Sequence, residues 1–324
     1  MEQKTSEKII KYIKNKGQAT GNELTLYFGI TSRAIRKQLS SLQEQGLIYK
    51  IGRPPKVFYL ISEDNVKKED NNVDEKTKKI IDENFLSITA SGERQEGFEG
   101  FINWCLKRND PLEKTAKEYV ETLKKYKRYK KDGLINGMHK IKGTFPDTAV
   151  DKLFYLDFYS IERFGKTKLG QLLLYAKQSQ NRGLIKELVD QIRPQIEELI
   201  KKYQIEAVSF IPPTVKREVQ LMRELERQLH LTNPKVSLVK VKTPVIVPQK
   251  TLNKLDDRIE NAKRTIMVDE TKRFKTILLI DDALGSGATI NETAKKIKNQ
   301  GLAETIIGLA ITGSFSGFEV ISEV

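Results

Sequence analysis

The sequence predicts an α/β protein with a mostly parallel sheet, preceded by a small α+β domain and a helical middle segment. Short apolar runs alternate with amphipathic helical patterns over residues 150–324, which is typical of a parallel sheet covered by helices. Residues 5–62 show a separate compact pattern, and a charged stretch poor in large apolar residues follows it. We therefore predict a domain over residues 1–62, a charged linker over 63–84, a helical connecting segment over 85–149 and an α/β domain over 150–324.

Composition limits the classes of protein to which the chain can belong. The chain has 324 residues and a formal net charge of +14, so it can hold two or three domains and favours a polyanionic partner such as nucleic acid. One cysteine, Cys105, excludes an internal disulfide framework, and with two histidines we expect neither a zinc site nor a redox cofactor. No apolar run approaches the length of a membrane span, and we expect a cytoplasmic protein without membrane contact.

The first domain contains three helical patterns followed by two short strands. Gly17 ends the first helix, a second helix covers about residues 21–28, and Thr31 or Ser32 is the expected N-cap of a third helix over residues 33–45. That third helix places apolar residues on one face and basic residues on another. The two strands, residues 47–50 and 57–61, are joined by the sequence Gly-Arg-Pro-Pro-Lys.

This order of elements is similar to that of the winged helix-turn-helix family, and the Gly-Arg-Pro-Pro-Lys connection resembles its wing. The resemblance implies binding to double-stranded DNA, with a basic helix in the major groove and the wing on phosphates or in the minor groove. The domain carries 11 Lys and Arg against 4 Asp and Glu, a net charge of +7. A role in protein contact or dimerisation is the alternative. The candidate DNA-binding residues are Thr31, Ser32, Arg33, Arg36, Lys37, Arg53 and Lys56.

The middle of the chain gives weaker signals. Residues 63–84 are rich in charged residues and predict a flexible linker or a solvated helix. Residues 98–142 have a helical pattern, in which Cys105 beside Trp104 is expected in the core. The basic, tyrosine-containing run at residues 126–131 predicts either the lysine face of an amphipathic helix or a second nucleic-acid contact.

The last segment alternates strands and helices. The predicted strands are residues 152–161, 206–211, 236–241, 276–280 and 305–312, and the predicted helices are residues 168–178, 184–203, 216–230 and 289–299. Ligands of such open sheets bind at the carboxyl ends of the strands.

The most informative motif of the chain lies at one of these strand ends. Four apolar residues, 277–280, are followed by Asp281 and Asp282 and then by a short loop of small and hydroxyl residues before a helix. The loop offers backbone N–H groups and hydroxyl donors for a phosphate. The two carboxylates suit ribose hydroxyls or hydrated Mg²⁺. An ordinary strand–turn–helix with a polar cap is the alternative.

This motif resembles the phosphoribosyl-pyrophosphate (PRPP) loop of type I phosphoribosyltransferases, in which an acidic pair precedes Thr-Gly-x-Thr. Ser286 stands at the first Thr, Gly287 at the Gly and Thr289 at the last Thr. The resemblance implies the type I phosphoribosyltransferase fold, Mg²⁺ bound together with PRPP, and Asp281 and Asp282 as catalytic and metal-binding residues. The implied PRPP-binding residues are Asp281, Asp282, Ala283, Leu284, Gly285, Ser286, Gly287, Ala288 and Thr289.

Two further segments are similar to ComF-like members of this family. Residues 209–217 form a second strand-to-helix junction that resembles a pyrophosphate loop, and residues 248–264 resemble the Gln-Thr-x-Leu…Arg-x-x-Asn stretch near a covering loop. The resemblance implies that Lys216 and Arg217 face pyrophosphate, with surface cations as the alternative. It also implies that Arg258 and Lys263 could close over pyrophosphate from the covering loop. Phe315 or Phe318 could stack on an acceptor base or close the core.

These observations lead to two functional hypotheses. The first is a DNA-binding transcriptional regulator, expected as a homodimer, whose phosphoribosyltransferase-like domain binds PRPP or a nucleotide as effector. The second is an active Mg²⁺-dependent phosphoribosyltransferase that the winged helix targets to nucleic acid. A role in DNA uptake, by analogy with ComF, is a third and weaker hypothesis.

Overall fold

The chain divides into two units in a computed structural model that describes residues 5–62, 73–215, 217–241, 247, 252 and 254–314. The first unit comprises residues 1–72 and 89–93, and the second comprises residues 73–88 and 94–324. Lys216, residues 248–251 and both Phe315 and Phe318 lie outside the described residues, so the expectations placed on them stay predictions. In the described part of the chain, no helix has the length and apolar character needed to cross a membrane.

The first unit packs three helices on a three-stranded antiparallel sheet. Its elements are α1 (Thr5–Lys16), β1 (Ala19–Thr20), α2 (Gly21–Phe28), α3 (Ser32–Glu44), β2 (Ile48–Arg53) and β3 (Lys56–Ile61). The sheet has the order β1-β3-β2. Ile9, Ile13, Leu24, Ile35 and Leu39 are buried together in its core, so the helical spacing of these apolar residues accounts for the packing. The predicted helices and strands are confirmed, and the two-residue strand β1 was not predicted.

The second unit is built around a six-stranded sheet. Its strands are β4 (Leu86–Ile88), β5 (Arg94–Glu96), β6 (Lys130–Lys131), β7 (Leu134–Asn136), β8 (Lys152–Phe158), β9 (Ser160–Ile161), β10 (Gly165–Lys166), β11 (Ala207–Phe210), β12 (Leu238–Lys240), β13 (Ile266–Val268), β14 (Phe274–Leu284) and β15 (Ala303–Gly313). Its helices are α4 (Glu75–Asn84), α5 (Gly97–Lys107), α6 (Leu112–Lys127), α7 (Met138–Thr144), α8 (Lys168–Ser179), α9 (Arg182–Tyr203), α10 (Leu221–Leu229), α11 (Leu255–Thr265) and α12 (Ala288–Asn299).

The order of the large sheet is β11-β14-β15-β8-β7-β6. The first four of these strands are parallel, and β7 and β6 add an antiparallel edge. A mostly parallel sheet is therefore confirmed. Both faces are covered: Ile277 and Leu279 of β14 belong to the core that includes α12, whereas Leu278 and Ile280 pack with α8, α9 and α10. Burial on both faces explains why this strand is a continuous apolar run.

The charged stretch over residues 63–84, for which the sequence left a flexible linker or a solvated helix open, contains a helix of the second unit. Residues 75–84, assigned to a linker, form helix α4, in which Ile81 is completely buried. The helix starts at an N-cap, Asp74, whose side chain accepts a hydrogen bond from Thr77 N at 2.9 Å. A single apolar stripe among many charges is enough to bury one face of a helix against a neighbour.

The middle segment is not purely helical. The hairpin β4–β5 precedes α5, and β7 pairs with β8 of the large sheet. Cys105 is buried, as expected. Strands β6 and β7 therefore belong to the same sheet as the α/β segment. The predicted domain boundary at residue 149 falls between α7 and β8, although β8 pairs with β7 from the other side of that boundary.

Three differences concern the α/β segment itself. The strand predicted at residues 236–241 is shorter and pairs antiparallel with β13 in a separate two-stranded sheet. The side chains of its register pair Val239 and Met267 are 43% and 41% exposed, whereas a strand of the central sheet would be covered on both faces. The helix predicted from residue 216 begins at Leu221, and residues 255–265 form the unpredicted helix α11.

Candidate functional site

The acidic pair lies inside β14 and not after its end. The prediction placed the end of this strand at Ile280, but the ladder continues to Leu284, because Asp281, Ala283 and Leu284 pair with Ala310, Thr312 and Gly313 of β15. Consecutive residues of a strand point to opposite faces of the sheet. Asp281 and Asp282 therefore reach different surroundings at the carboxyl end of the parallel strands.

Asp282 forms an ion pair with Lys177 of α8. Its carboxylate is 16% exposed, and its backbone N–H donates to Asp281 Oδ1 at 2.8 Å. Burial lowers the pKa of Lys177, but the negative charges of Asp282 and Asp281 outweigh this effect and raise it above the usual lysine value. Burial raises the pKa of Asp281 to about 8, and the charge of Asp282 acts in the same direction.

Two further cations lie close to this pair. The positive charge of Arg217 lowers the pKa of Lys177, so Arg217 lies near Lys177, and its assignment to pyrophosphate stays a prediction. Lys240 of β12 is half-buried, and burial lowers its pKa to about 8 while the charge of Asp281 opposes this shift. Lys177 and Lys240 were missed in the sequence, because neither carries a motif and each comes close through the packing of another element.

Arg258 and Lys263 lie on α11, in the stretch where a covering loop was expected. Arg258 Nε donates to Leu252 O at 2.6 Å. The backbone carbonyl of Lys263 accepts a hydrogen bond from Lys296 Nζ of α12, while the Lys263 residue is exposed. Both residues are therefore part of a helix, where a covering loop was expected. Their assignment to pyrophosphate stays a prediction.

The loop after β14 leads directly into α12. Gly287 is the N-cap of this helix with φ +79° and has no side chain that could cap the first turn. Ser286 is buried, and its Oγ accepts a hydrogen bond from Ala288 N at 3.3 Å. A helix N-terminus of this kind presents backbone N–H groups and a positive dipole end to an anion. The geometry therefore suits a phosphate group next to the acidic pair.

Gly287 is a position of this loop where a side chain would be strained. An added Cβ would sit 3.3 Å from Cδ1 of Ile141 in α7, and the positive φ disfavours any L-residue with a side chain. We expect Gly287→Ala to lower the free energy of unfolding by about 1–2 kcal/mol, as measured by urea denaturation. Gly143→Ala is the matched control, because Gly143 lies in helix α7 with nothing within 4 Å of an added Cβ. Equal stability of the two variants would contradict this reading of the loop.

The donor set limits which metal the site could hold. In the described ranges, no group of three or more His, Cys, Asp or Glu side chains could hold a metal ion. The pair Asp281 and Asp282 offers hard oxygen ligands, and one of the two is already ion-paired. Mg²⁺ is often bound by one or two carboxylates together with substrate phosphates, so the residues fit Mg²⁺ that arrives with a pyrophosphate-containing ligand.

The first unit exposes a basic surface on α3. Thr31 is its N-cap and its Oγ1 accepts from Ala34 N at 3.2 Å, which decides between the two caps that the sequence left open. Ile35, Leu39 and Leu42 hold one face of the helix in the core. The predicted DNA-binding residues of this helix and its cap are all exposed, namely Thr31, Ser32, Arg33, Arg36 and Lys37.

The connection between β2 and β3 presents the other two predicted residues. Arg53 and Lys56 pair in register across the hairpin and are both exposed. Gly52 has φ +88°, and an added Cβ would lie 2.2 Å from Lys56 O. A glycine is therefore required for this tight turn, which holds two cations at the tip.

The comparison with known protein families agrees with this geometry. A family model described as an HTH domain matches residues 5–57, a range that contains α1 to α3 and the wing. No curated protein matches the chain. Residues 5–57 are therefore a helix-turn-helix domain, which indicates a DNA-binding regulator.

Proposed function

We propose that this protein is a transcriptional regulator whose second unit binds PRPP or a nucleotide as effector. The observation that carries the proposal is the presence, in one chain, of a helix-turn-helix domain and of an acidic pair followed by a phosphate-sized loop. The type I phosphoribosyltransferase likeness of the second unit rests on the residues of this motif.

Each part of the site has a role toward such a ligand. The loop from Gly285 to Thr289 would take the 5′-phosphate, because backbone N–H groups and hydroxyls meet there. Asp281 and Asp282 would accept hydrogen bonds from the ribose hydroxyls and hold Mg²⁺ with the pyrophosphate oxygens. Lys177, which already neutralises one of the two carboxylates, and Arg217 would offset the charge of pyrophosphate.

Control of DNA binding requires that the ligand favours one of two arrangements of the protein. The free energy of this coupling is limited by the difference in ligand affinity between the two arrangements. We expect a homodimer, since helix-turn-helix proteins commonly read two half-sites through their own two-fold symmetry. DNA affinity would then depend on the distance that the bound ligand sets between the two helix-turn-helix domains of the dimer.

Calorimetry with the full chain tests the ligand part of the proposal. PRPP with Mg²⁺ should bind with a dissociation constant in roughly the micromolar range, which corresponds to a binding free energy of about −8 kcal/mol. Ribose 5-phosphate, which lacks the pyrophosphate, should bind more weakly. Absence of PRPP binding would contradict the assignment of the second unit. Selection of bound duplexes from a random DNA library would test sequence-specific DNA binding by the first unit separately.

An active phosphoribosyltransferase is the second candidate, and the environment of Asp281 favours it. Burial beside Asp282 raises the pKa of Asp281, which is the direction that makes a carboxylate a stronger base toward an acceptor nitrogen. Release of pyrophosphate from PRPP in the presence of a panel of nucleobases would establish turnover. PRPP binding without pyrophosphate release would leave the effector role.

A further inference from the structure

A cavity of about 360 Å³ lies in the second unit, apart from the acidic pair. It opens between α4, the last turns of α6 and the carboxyl end of β8, and residues of these elements together with Lys130, Ile161, Thr167 and Lys168 form its walls. Its volume is near the lower limit of the range found for small-molecule sites, about 300–1,000 Å³. The basic, tyrosine-containing run of the sequence ends at this cavity.

The walls are mostly apolar and aromatic. Val120 and Ile161 are buried at the cavity, and Leu123 is half-buried there. Tyr126 provides a half-buried ring at the cavity. Tyr119 is buried at its base, and the Tyr119 hydroxyl donates to Asn84 O at 3.1 Å. A planar ring fits between such walls better than a hydrated ion, because aromatic and aliphatic surfaces gain by excluding water.

Asp157 places an acidic group among these walls. Asp157 is 28% exposed, its Oδ2 lies 3.2 Å from Lys130 Nζ, and its Oδ1 accepts from its neighbour Phe158 N at 2.8 Å. Burial raises the pKa of Asp157 against the charge of Lys130. A purely apolar ligand such as an acyl chain would desolvate this carboxylate without offering a donor, which is unfavourable. A ligand with an N–H group would satisfy it.

The rim of the cavity is positively charged. Lys124 and Lys127 are exposed on the last turn of α6, one helical turn apart. In the part of the chain that the structure describes, no carboxylate lies within 4.0 Å of either amine, whereas Lys168 is paired with Glu96 at 2.7 Å. Glu83 is the other acidic residue at the cavity. Lys130 and Lys168 are each paired with a carboxylate, so Lys124 and Lys127 against Glu83 leave a small positive excess that favours an anionic group at the opening.

We propose that this cavity binds a ribonucleoside 5′-monophosphate, with the base between the tyrosine-containing walls, a base N–H donating to Asp157, and the phosphate at Lys124 and Lys127. The site is separate from the loop after β14. Asp157 and Ala283 pair with Thr312 from its two sides, so their Cα atoms are two strand spacings apart, about 10 Å. The proposal does not depend on PRPP binding.

The test uses the full chain carrying Asp281→Asn and Asp282→Asn, so that nucleotide binding at the β14 loop is weakened. The four ribonucleoside 5′-monophosphates are titrated by calorimetry up to about 1 mM. This range detects a binding free energy of about −4 kcal/mol or more favourable. We expect at least one of them to bind, and the matching nucleoside to bind at least about tenfold more weakly, because it lacks the charge that the lysines recognise.

Variants then locate the bound nucleotide. Lys124→Ala with Lys127→Ala should weaken binding about tenfold, since two charged contacts are lost, and Asp157→Asn should weaken it through the base. Lys186→Ala with Lys201→Ala removes the same charge from exposed positions of α9 and should leave affinity unchanged. Because Lys124 and Lys127 are exposed, their replacement should not impair folding. The proposal is overturned if no monophosphate binds, or if the Lys124 and Lys127 double variant binds as well as the α9 control.

Discussion

Replacement of both carboxylates of β14, Asp281→Asn with Asp282→Asn, is expected to weaken PRPP binding by at least about a hundredfold, or roughly 2.7 kcal/mol. The two side chains are the acceptors for the ribose hydroxyls and the ligands for Mg²⁺ in the proposed site, and Asn keeps the shape of each side chain but removes its charge. Charge-assisted hydrogen bonds and metal contacts are lost together. Calorimetry with PRPP and Mg²⁺ measures the change directly.

The experiment needs a control that removes two negative charges at positions outside the proposed site. Glu197→Gln with Glu198→Gln is the matched control, because these adjacent acidic residues are exposed on α9 in the same unit. The control should bind PRPP like the original protein. Since Asp282 is ion-paired with Lys177, circular dichroism should first show that the β14 variant is folded. Intact PRPP affinity in a folded β14 variant would contradict the site.

Removal of two cations from the basic face of α3, Arg33→Ala with Arg36→Ala, is expected to lower DNA affinity by about ten- to a hundredfold at physiological salt. Both side chains are exposed, while Ile35 and Leu39 anchor the opposite face of the helix in the core. If both contact phosphates, the slope of log K against log salt should decrease by about 2 in magnitude. Fluorescence anisotropy over a series of salt concentrations gives both quantities.

The control for this experiment removes equal charge from the same domain. Lys11 and Lys14 are exposed on α1, so Lys11→Ala with Lys14→Ala should reduce affinity only slightly through long-range electrostatics. The same loss of affinity and of salt slope in both double variants would show that α3 is not the contacting helix.

Local sequence patterns predicted the elements whose burial is periodic. The apolar run at residues 277–280 became the centre of β14, and the helical spacing at residues 168–178 and 184–203 became α8 and α9. The same local patterns could not identify which strands pair. Residues 236–241 have a strand pattern, yet β12 pairs with β13 outside the large sheet, because pairing depends on distant residues and not on the strand alone.

In the candidate site, too, the sequence predicted the residues that lie close together in the chain and missed those that come from distant segments. The acidic pair and the glycine loop lie within nine residues of one another in the chain, so their chemistry could be predicted from the sequence. Lys177 is more than a hundred residues away and reaches Asp282 only because α8 packs on β14. Ile81 was overlooked for a related reason: a highly charged helix needs only one buried stripe, and its partner residues follow later in the chain.

The central claim is that a ligand of the second unit changes DNA binding by the first. The most direct measurement is the DNA affinity of the full chain, by anisotropy with a selected duplex, in the absence and presence of saturating PRPP and Mg²⁺. We predict a change of about five- to a hundredfold, which should be absent in the Asp281→Asn, Asp282→Asn variant. Equal DNA affinity with and without bound PRPP would contradict the claim.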